Sequence, residues 1–177
     1  MKKFELTTET KICDGRTLYR IKALESFGGV CAGDLGGWVE KEKNLSHGGD
    51  ARVSDNARVY GDAWVSDNAR VYGDAWVSGD ARVYGDAWVS GNAWVSGDAR
   101  VSRDEHVMWI SRIGSRNGTT TFFATKTGIF VNCGCFSGSL EAFAAAVDKN
   151  HGDSEHGKAY RLAIELAKLR IKLPEEE

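Results

Sequence analysis

Nine six-residue units run without insertion from Gly49 to Ser102: GDARVS DNARVY GDAWVS DNARVY GDAWVS GDARVY GDAWVS GNAWVS GDARVS. Each unit has Gly or Asp, then Asp or Asn, then Ala, then Arg or Trp, then Val, then Ser or Tyr. A fixed short period marks a solenoid, and a hexapeptide period marks a parallel β-helix. Val, flanked by larger or polar residues, points inward while its neighbours point outward, as alternation along a strand requires. Gly-Asp, Gly-Asn and Asp-Asn supply the corners, because these residues tolerate left-handed geometry. Ala suits a corner too tight for a longer side chain.

Read from Val, the unit V-x-[GD]-[DN]-A-x resembles that of the left-handed parallel β-helix proteins known as hexapeptide-repeat proteins. The resemblance implies three hexads per triangular coil, hence three coils of eighteen residues rising about 14 Å in all. The inward column is then Val53, Val59, Val65, Val71, Val77, Val83, Val89, Val95 and Val101. The outward position duplicates every twelve residues while a coil takes eighteen, so the columns mix. One face carries Arg52, Arg70 and Trp88, a second Arg58, Trp76 and Trp94, and a third Trp64, Arg82 and Arg100. No uniform ladder results, which excludes an ice-binding face. Arg over Trp allows cation–π stacking. Four outward Trp (Trp64, Trp76, Trp88 and Trp94) nevertheless exceed what a small monomer usually exposes, and Trp and Arg are enriched at interface centres. One face is therefore expected to join subunits, with the Trp76/Trp94 face favoured. The resemblance implies a homotrimer.

A net charge of −2 leaves no electrostatic footprint for DNA or RNA. No apolar run follows MKKFELTTETK, so neither a signal peptide nor a membrane span is expected. Four Cys, with Cys133 and Cys135 two apart on an expected strand, fit reduced thiols in a cytoplasm better than a disulfide framework. The corner acids, Asp50, Asp62, Asp74, Asp80, Asp86 and Asp98, read as turn-formers, since the calcium-binding nonapeptide is absent. The glycine-rich stretch before the repeat lacks the Lys-Ser or Lys-Thr of a phosphate loop, and no cofactor motif is read.

Four segments follow from the pattern. Residues 1–48 form an N-terminal capping hairpin and glycine-rich lead-in, with strands KFELTTETKI and TLYRIKAL around a Cys13-Asp14-Gly15-Arg16 turn. The hairpin hides the first open strand edge. Gly28-Gly29, Gly36-Gly37 and Gly48-Gly49 mark bends, while Val39 and Leu45 read as a degenerate hexad. Residues 49–107 are the β-helix. Residues 108–173 form a small α+β module, with strands VMWISRI, TTTFFATK and GIFVNCG and then two helices. The first helix starts at the N-cap Ser139 and ends at Asn150-His151-Gly152. The second runs from about Ser154 to Leu173, with Tyr160, Ile164, Ala167 and Ile171 buried and Leu162, Leu166 and Leu169 widening that face. Residues 174–177 are an acidic tail. The fold class is mainly β.

Three chemistries fit the residues. The hexapeptide-repeat resemblance implies acyl transfer from coenzyme A, which needs a His base near a coil edge; His47 and His106 flank the repeat. Cys133, Cys135, His151 and His156 are four potential zinc ligands, although one residue between the Cys is fewer than structural sites prefer. Arg112, Ser115, Arg116 and Asn117 cluster in a Gly-bounded loop where His151 and Tyr160 can converge, a set suited to an anionic, nucleotide-like ligand. Small proteins of this make-up resemble hexapeptide-repeat proteins of phages and prophages. That resemblance implies a bacterial cytoplasm and an anti-defence role against a host protein or signal. The expectation is a non-enzymatic oligomeric binding protein, with the acyltransferase as alternative.

Overall fold

The structure is a computed structural model and describes residues 2–174; the acidic tail beyond Pro174 lies outside the described residues. Strands β1 (Phe4–Cys13) and β2 (Arg16–Ala23) form the expected antiparallel hairpin. Its two turn residues, Asp14 and Gly15, both have positive φ (48° and 73°), the geometry that suits the twist of the flanking strands. Strand β3 (Leu35–Val39) follows. Nine two-residue strands, β4 to β12, come next: Arg52–Val53, Arg58–Val59, Trp64–Val65, Arg70–Val71, Trp76–Val77, Arg82–Val83, Trp88–Val89, Trp94–Val95 and Arg100–Val101.

These strands stack as parallel columns eighteen residues apart: β4, β7 and β10; β5, β8 and β11; and β6, β9 and β12. All three expected faces are formed. The nine Val are 0–2% exposed and the Ala of each unit 0–1%. Each buried Val contributes about 1.5–3 kcal/mol of transfer free energy. The first residue of every unit has positive φ, glycine at seven positions and aspartate at Asp55 and Asp67. The strain at those two acids is offset locally: their carboxylates accept Gly73 N and Gly85 N from the next coil, at 3.0 and 3.1 Å.

The stack has a polarity that controls both of its ends. N–H groups donate toward the following coil, as Arg52 N does to Ala69 O (3.0 Å) and Ser66 N to Val83 O (3.0 Å). The lead-in segment reaches only some carbonyls of the first coil, Trp38 N donating to Ala57 O and Ser46 N to Val65 O, so the others need caps, and the last coil presents N–H groups with no coil ahead. The two ends are closed by opposite chemistry. At the first, Lys3 Nζ donates to Gly49 O and Ala51 O (3.1 and 2.8 Å), and Asn44 Nδ2 donates to Gly61 O and Ala63 O (3.2 and 2.8 Å). At the last, Asp104 Oδ1 accepts from Trp88 N (3.0 Å), Thr121 Oγ1 from Trp94 N (2.9 Å) and His106 Nδ1 from Ser102 N (3.2 Å).

The C-terminal segment is a lid on the solenoid. Strands β13 (Val107–Ile113), β14 (Gly118–Ala124), β15 (Ile129–Cys133) and β16 (Phe136–Ser139) form one antiparallel sheet, followed by α1 (Leu140–His151) and α2 (Glu155–Arg170). Alternation gives the sheet two apolar faces. Val107, Trp109, Phe123 and Phe130 pack on the valine core, while Phe122, Ala124 and Val131 meet Phe143, Val147, Tyr160 and Ile164 of the helices. Ser139 and Ser154 cap the helices, accepting Ala142 N and Gly157 N.

The solenoid has about four turns, roughly consistent with the three coils expected: β3 pairs with β5 (Trp38↔Arg58, Val39↔Val59) and Leu45 bridges Val65, so the degenerate hexad of Val39 and Leu45 adds a lead-in coil. Several other expectations are corrected. Gly36 and Gly37 lie inside β3 and make no bend. A side chain there would strike Ile21 or the Val53 carbonyl at Gly36, and Val53 or the Ala57 carbonyl at Gly37. Strand β16 was not anticipated. Cys133 ends β15 while Cys135 lies in the turn beyond it, so the two do not share a strand face. Leu162 and Leu169 are each 73% exposed, because the sheet contacts the helix through Tyr160, Ala163, Ile164 and Ala167.

Candidate functional site

The lid carries a cleft of about 310 Å³ on its helix side. Three local features shape it. The β13–β14 connection follows a bulge at Arg112 (φ 60°) and supplies Ser115 and Arg116. The end of β15 and the turn after it, with Gly134 at φ 59°, supply Cys133 and Cys135. The last two turns of α1 supply Val147, Asn150 and His151. Tyr160 of α2 crosses the floor, and its hydroxyl meets Gly114, where any side chain would collide with it.

One wall is aromatic. Phe136, Phe143, Tyr160 and His151 form a chain of ring contacts with centroids 5.1, 5.5 and 5.4 Å apart. The polar groups sit around it. Thr120 Oγ1 donates to Cys133 Sγ at 3.0 Å, and Tyr160 Oη lies 3.5 Å from the same sulphur. Burial, reinforced by that thiol, pushes the Tyr160 hydroxyl up to about 12, so it remains a donor at neutral pH.

Of the six residues expected to bind an anion, Ser115, Arg116, His151 and Tyr160 line this cleft. Arg112 and Asn117 do not; both are exposed with positive φ, Arg112 at the bulge of β13 and Asn117 in the turn after it. Phe136, Phe143, Thr120 and Asn150 were not expected. Three of them fall in stretches read only as strand or helix packing, where no spacing separates a wall residue from a core residue. Phe136 follows the expected strands, in the unanticipated β16.

The zinc alternative does not assemble. Cys133, Cys135 and His151 border the cleft but His156 does not, and among the described residues no group of three His, Cys, Asp or Glu is placed to hold a metal ion. Both His expected as a base are occupied at coil ends. His106 is 3% exposed, its Nδ1 accepts Ser102 N, and burial pushes its pKa down. His47 stacks on Phe4 at 4.3 Å, accepts Lys3 N on Nδ1 at 3.3 Å, and has Nε2 2.8 Å from Glu42 Oε1.

The outer Trp divide by face. Trp76 meets Trp94 edge-on (6.1 Å) and lies under the Arg58 guanidinium (4.7 Å), while the hairpin tip packs Cys13 and Leu18 with Trp38, Tyr60 and Trp76. That favoured face is half-buried within the chain itself. Trp64 and Trp88, on the other two faces, are 41% and 42% exposed.

Residues 51–67, 63–79, 75–91 and 81–97 match the YdcK β-solenoid repeat. The chain is a repeat β-helix protein. The matches fall wholly on the solenoid and stop before the lid, so the cleft of this repeat β-helix protein lies outside the region they cover. No curated protein matches the chain. Among the described residues no helix is long and apolar enough to cross a membrane.

Proposed function

We propose that this repeat β-helix protein is a non-enzymatic, oligomeric binding protein. The solenoid is its rigid stem, and the cleft in the lid takes a small anionic, nucleotide-like ligand. The observation that carries the reading is the convergence of Arg116, Ser115, His151 and Tyr160 on one cleft of about 310 Å³ with an aromatic wall. A guanidinium beside hydroxyls suits a phosphate, the rings suit a planar base, and the volume suits a small ligand.

Association fits the two faces that the hairpin leaves open. Coil by coil, Arg52 on one face corresponds to Trp64 on the other, Arg70 to Arg82, and Trp88 to Arg100. A head-to-tail contact between these faces pairs Arg with Trp in two coils and sets Arg70 beside Arg82 in the middle one, and its repetition closes into a ring of three prisms. The setting of this reading is the one the resemblance implies. There a phage or prophage product in a bacterial cytoplasm withholds a signal, or occupies a host defence protein.

Native mass spectrometry of the full chain with a panel of nucleoside phosphates tests both parts. The expected result is a trimer carrying ligand, with Arg116→Ala keeping the trimer and losing about ten- to a hundredfold in affinity, the worth of one charge-assisted hydrogen bond. Unchanged affinity in that variant overturns the pocket, and a monomer at micromolar concentration overturns the ring.

A further inference from the structure

The cleft holds one group that anion binding leaves unused, the Cys133 thiol. Its sulphur is fixed between two hydroxyls brought from elsewhere in the lid, Thr120 Oγ1 at 3.0 Å and Tyr160 Oη at 3.5 Å. Thr120 is fully buried and Tyr160 is 7% exposed, whereas Cys133 is half-buried and borders the open cleft. A small molecule can therefore reach the sulphur, while the dipoles aimed at it are locked in place by packing. Preorganised donors of this kind stabilise charge on the atom they face at no cost of reorganisation during reaction. Arg116 borders the same cleft, so an acidic group held there leaves the rest of the ligand next to the thiol. The chain also contains its own comparison. Cys31 is free, more exposed than Cys133, and not among the residues lining the cleft.

We propose that Cys133 is a nucleophilic thiol that exchanges with a small anionic disulfide held in the cleft by Arg116. The recognition half of this rests on the anion-binding reading; the reactivity half does not. The Cys133 thiol releases its proton to solvent, and the thiolate attacks one sulphur of the ligand. A new sulphur–sulphur bond forms as the ligand's own disulfide breaks. The outgoing sulphur leaves with the electron pair and takes a proton from solvent. The products are one mixed disulfide on Cys133 and one small thiol, so one sulphur–sulphur bond forms for the one that breaks and no further oxidant is needed.

The reduced full-length protein is incubated with oxidised glutathione (anionic), 2-hydroxyethyl disulfide (neutral) or cystamine (cationic), quenched over time, and each Cys peptide is quantified by mass spectrometry. Cys133 is expected to react with oxidised glutathione about tenfold or more faster than Cys31 despite its lower exposure, a barrier difference of about 1.4 kcal/mol. At Cys133 the rates should run anionic, neutral, cationic and at Cys31 they should not, both in the unaltered chain and in Cys135→Ser, which removes the second thiol of the cleft. Arg116→Ala should abolish that order, and Thr120→Val and Tyr160→Phe should each slow Cys133 without changing Cys31. A Cys133 no faster than Cys31, in the unaltered chain and in Cys135→Ser, overturns the proposal. A fast Cys133 with no charge order overturns the anion reading and leaves the thiol. Arg116-dependent binding of a nucleoside phosphate beside a slow Cys133 overturns the thiol and leaves the anion reading.

Discussion

Asn44 is the sharpest test of the polarity of the coil stack. It is fully buried, donates both amide hydrogens to the orphan carbonyls of Gly61 and Ala63, and accepts Lys41 N on Oδ1 at 2.8 Å. Asn44→Leu keeps the volume and removes all three bonds. The Ala63 carbonyl loses its cap in a dry position, at about 1–3 kcal/mol for a buried unsatisfied group. Gly61 O retains Lys41 Nζ at 3.4 Å, and Lys41 N lies on a half-buried residue that water reaches, so each adds less. The sum is about 3 kcal/mol, a large share of the roughly 5–15 kcal/mol that holds a domain together. Because each coil touches only its neighbours, the loss should start at the first coil. Urea unfolding followed by circular dichroism gives the free energy, and hydrogen exchange should show protection failing first around Ala63. Asn68→Ala is the control, since Asn68 is exposed and its side-chain amide donates to the exposed Asp86 at 3.1 Å; it should cost about 0.5 kcal/mol or less. If Asn44→Leu stays within that same margin, the carbonyls are not the weak point of the open end, and the account of the caps is refuted.

Two further predictions follow from the core and the far cap. Val77→Ala, in the middle of its column, removes two carbons from a site with no exposure and should cost about 2–3 kcal/mol in urea unfolding, with less than half of that pointing to a core that recloses. His106 is buried with its pKa pushed down, so below the ordinary histidine range the unfolded chain binds a proton that the folded chain refuses. Stability should therefore fall as pH drops through about 6.5 and below; His106→Gln should flatten that slope in unfolding curves taken from pH 7.5 to 5, and an unchanged slope would remove His106 from the linkage.

The tight interdependence of the lid shows why some features were readable and others were not. The hairpin turn was legible because Asp14-Gly15 can take only a few backbone conformations, and the helix starts were legible because Ser139 and Ser154 satisfy N–H groups two or three residues away. Leu162 and Leu169 misled because helical spacing says which residues share a face, and says nothing of which face the sheet will cover. Cys133 and Tyr160, 27 residues apart, met only through the registry of β14 on β15 and the docking of α2.

The hexad alone decided the β-helix: a small inward residue and a left-handed corner every six positions leave the backbone one way to close, and each contact repeats at a fixed separation. Tertiary structure alone decided the cleft. Its floor depends on Gly114 lacking a side chain opposite Tyr160, and its chemistry depends on Thr120 and Tyr160 reaching one sulphur. Those contacts join segments with no common period, so only the packing of the lid against itself could bring them together.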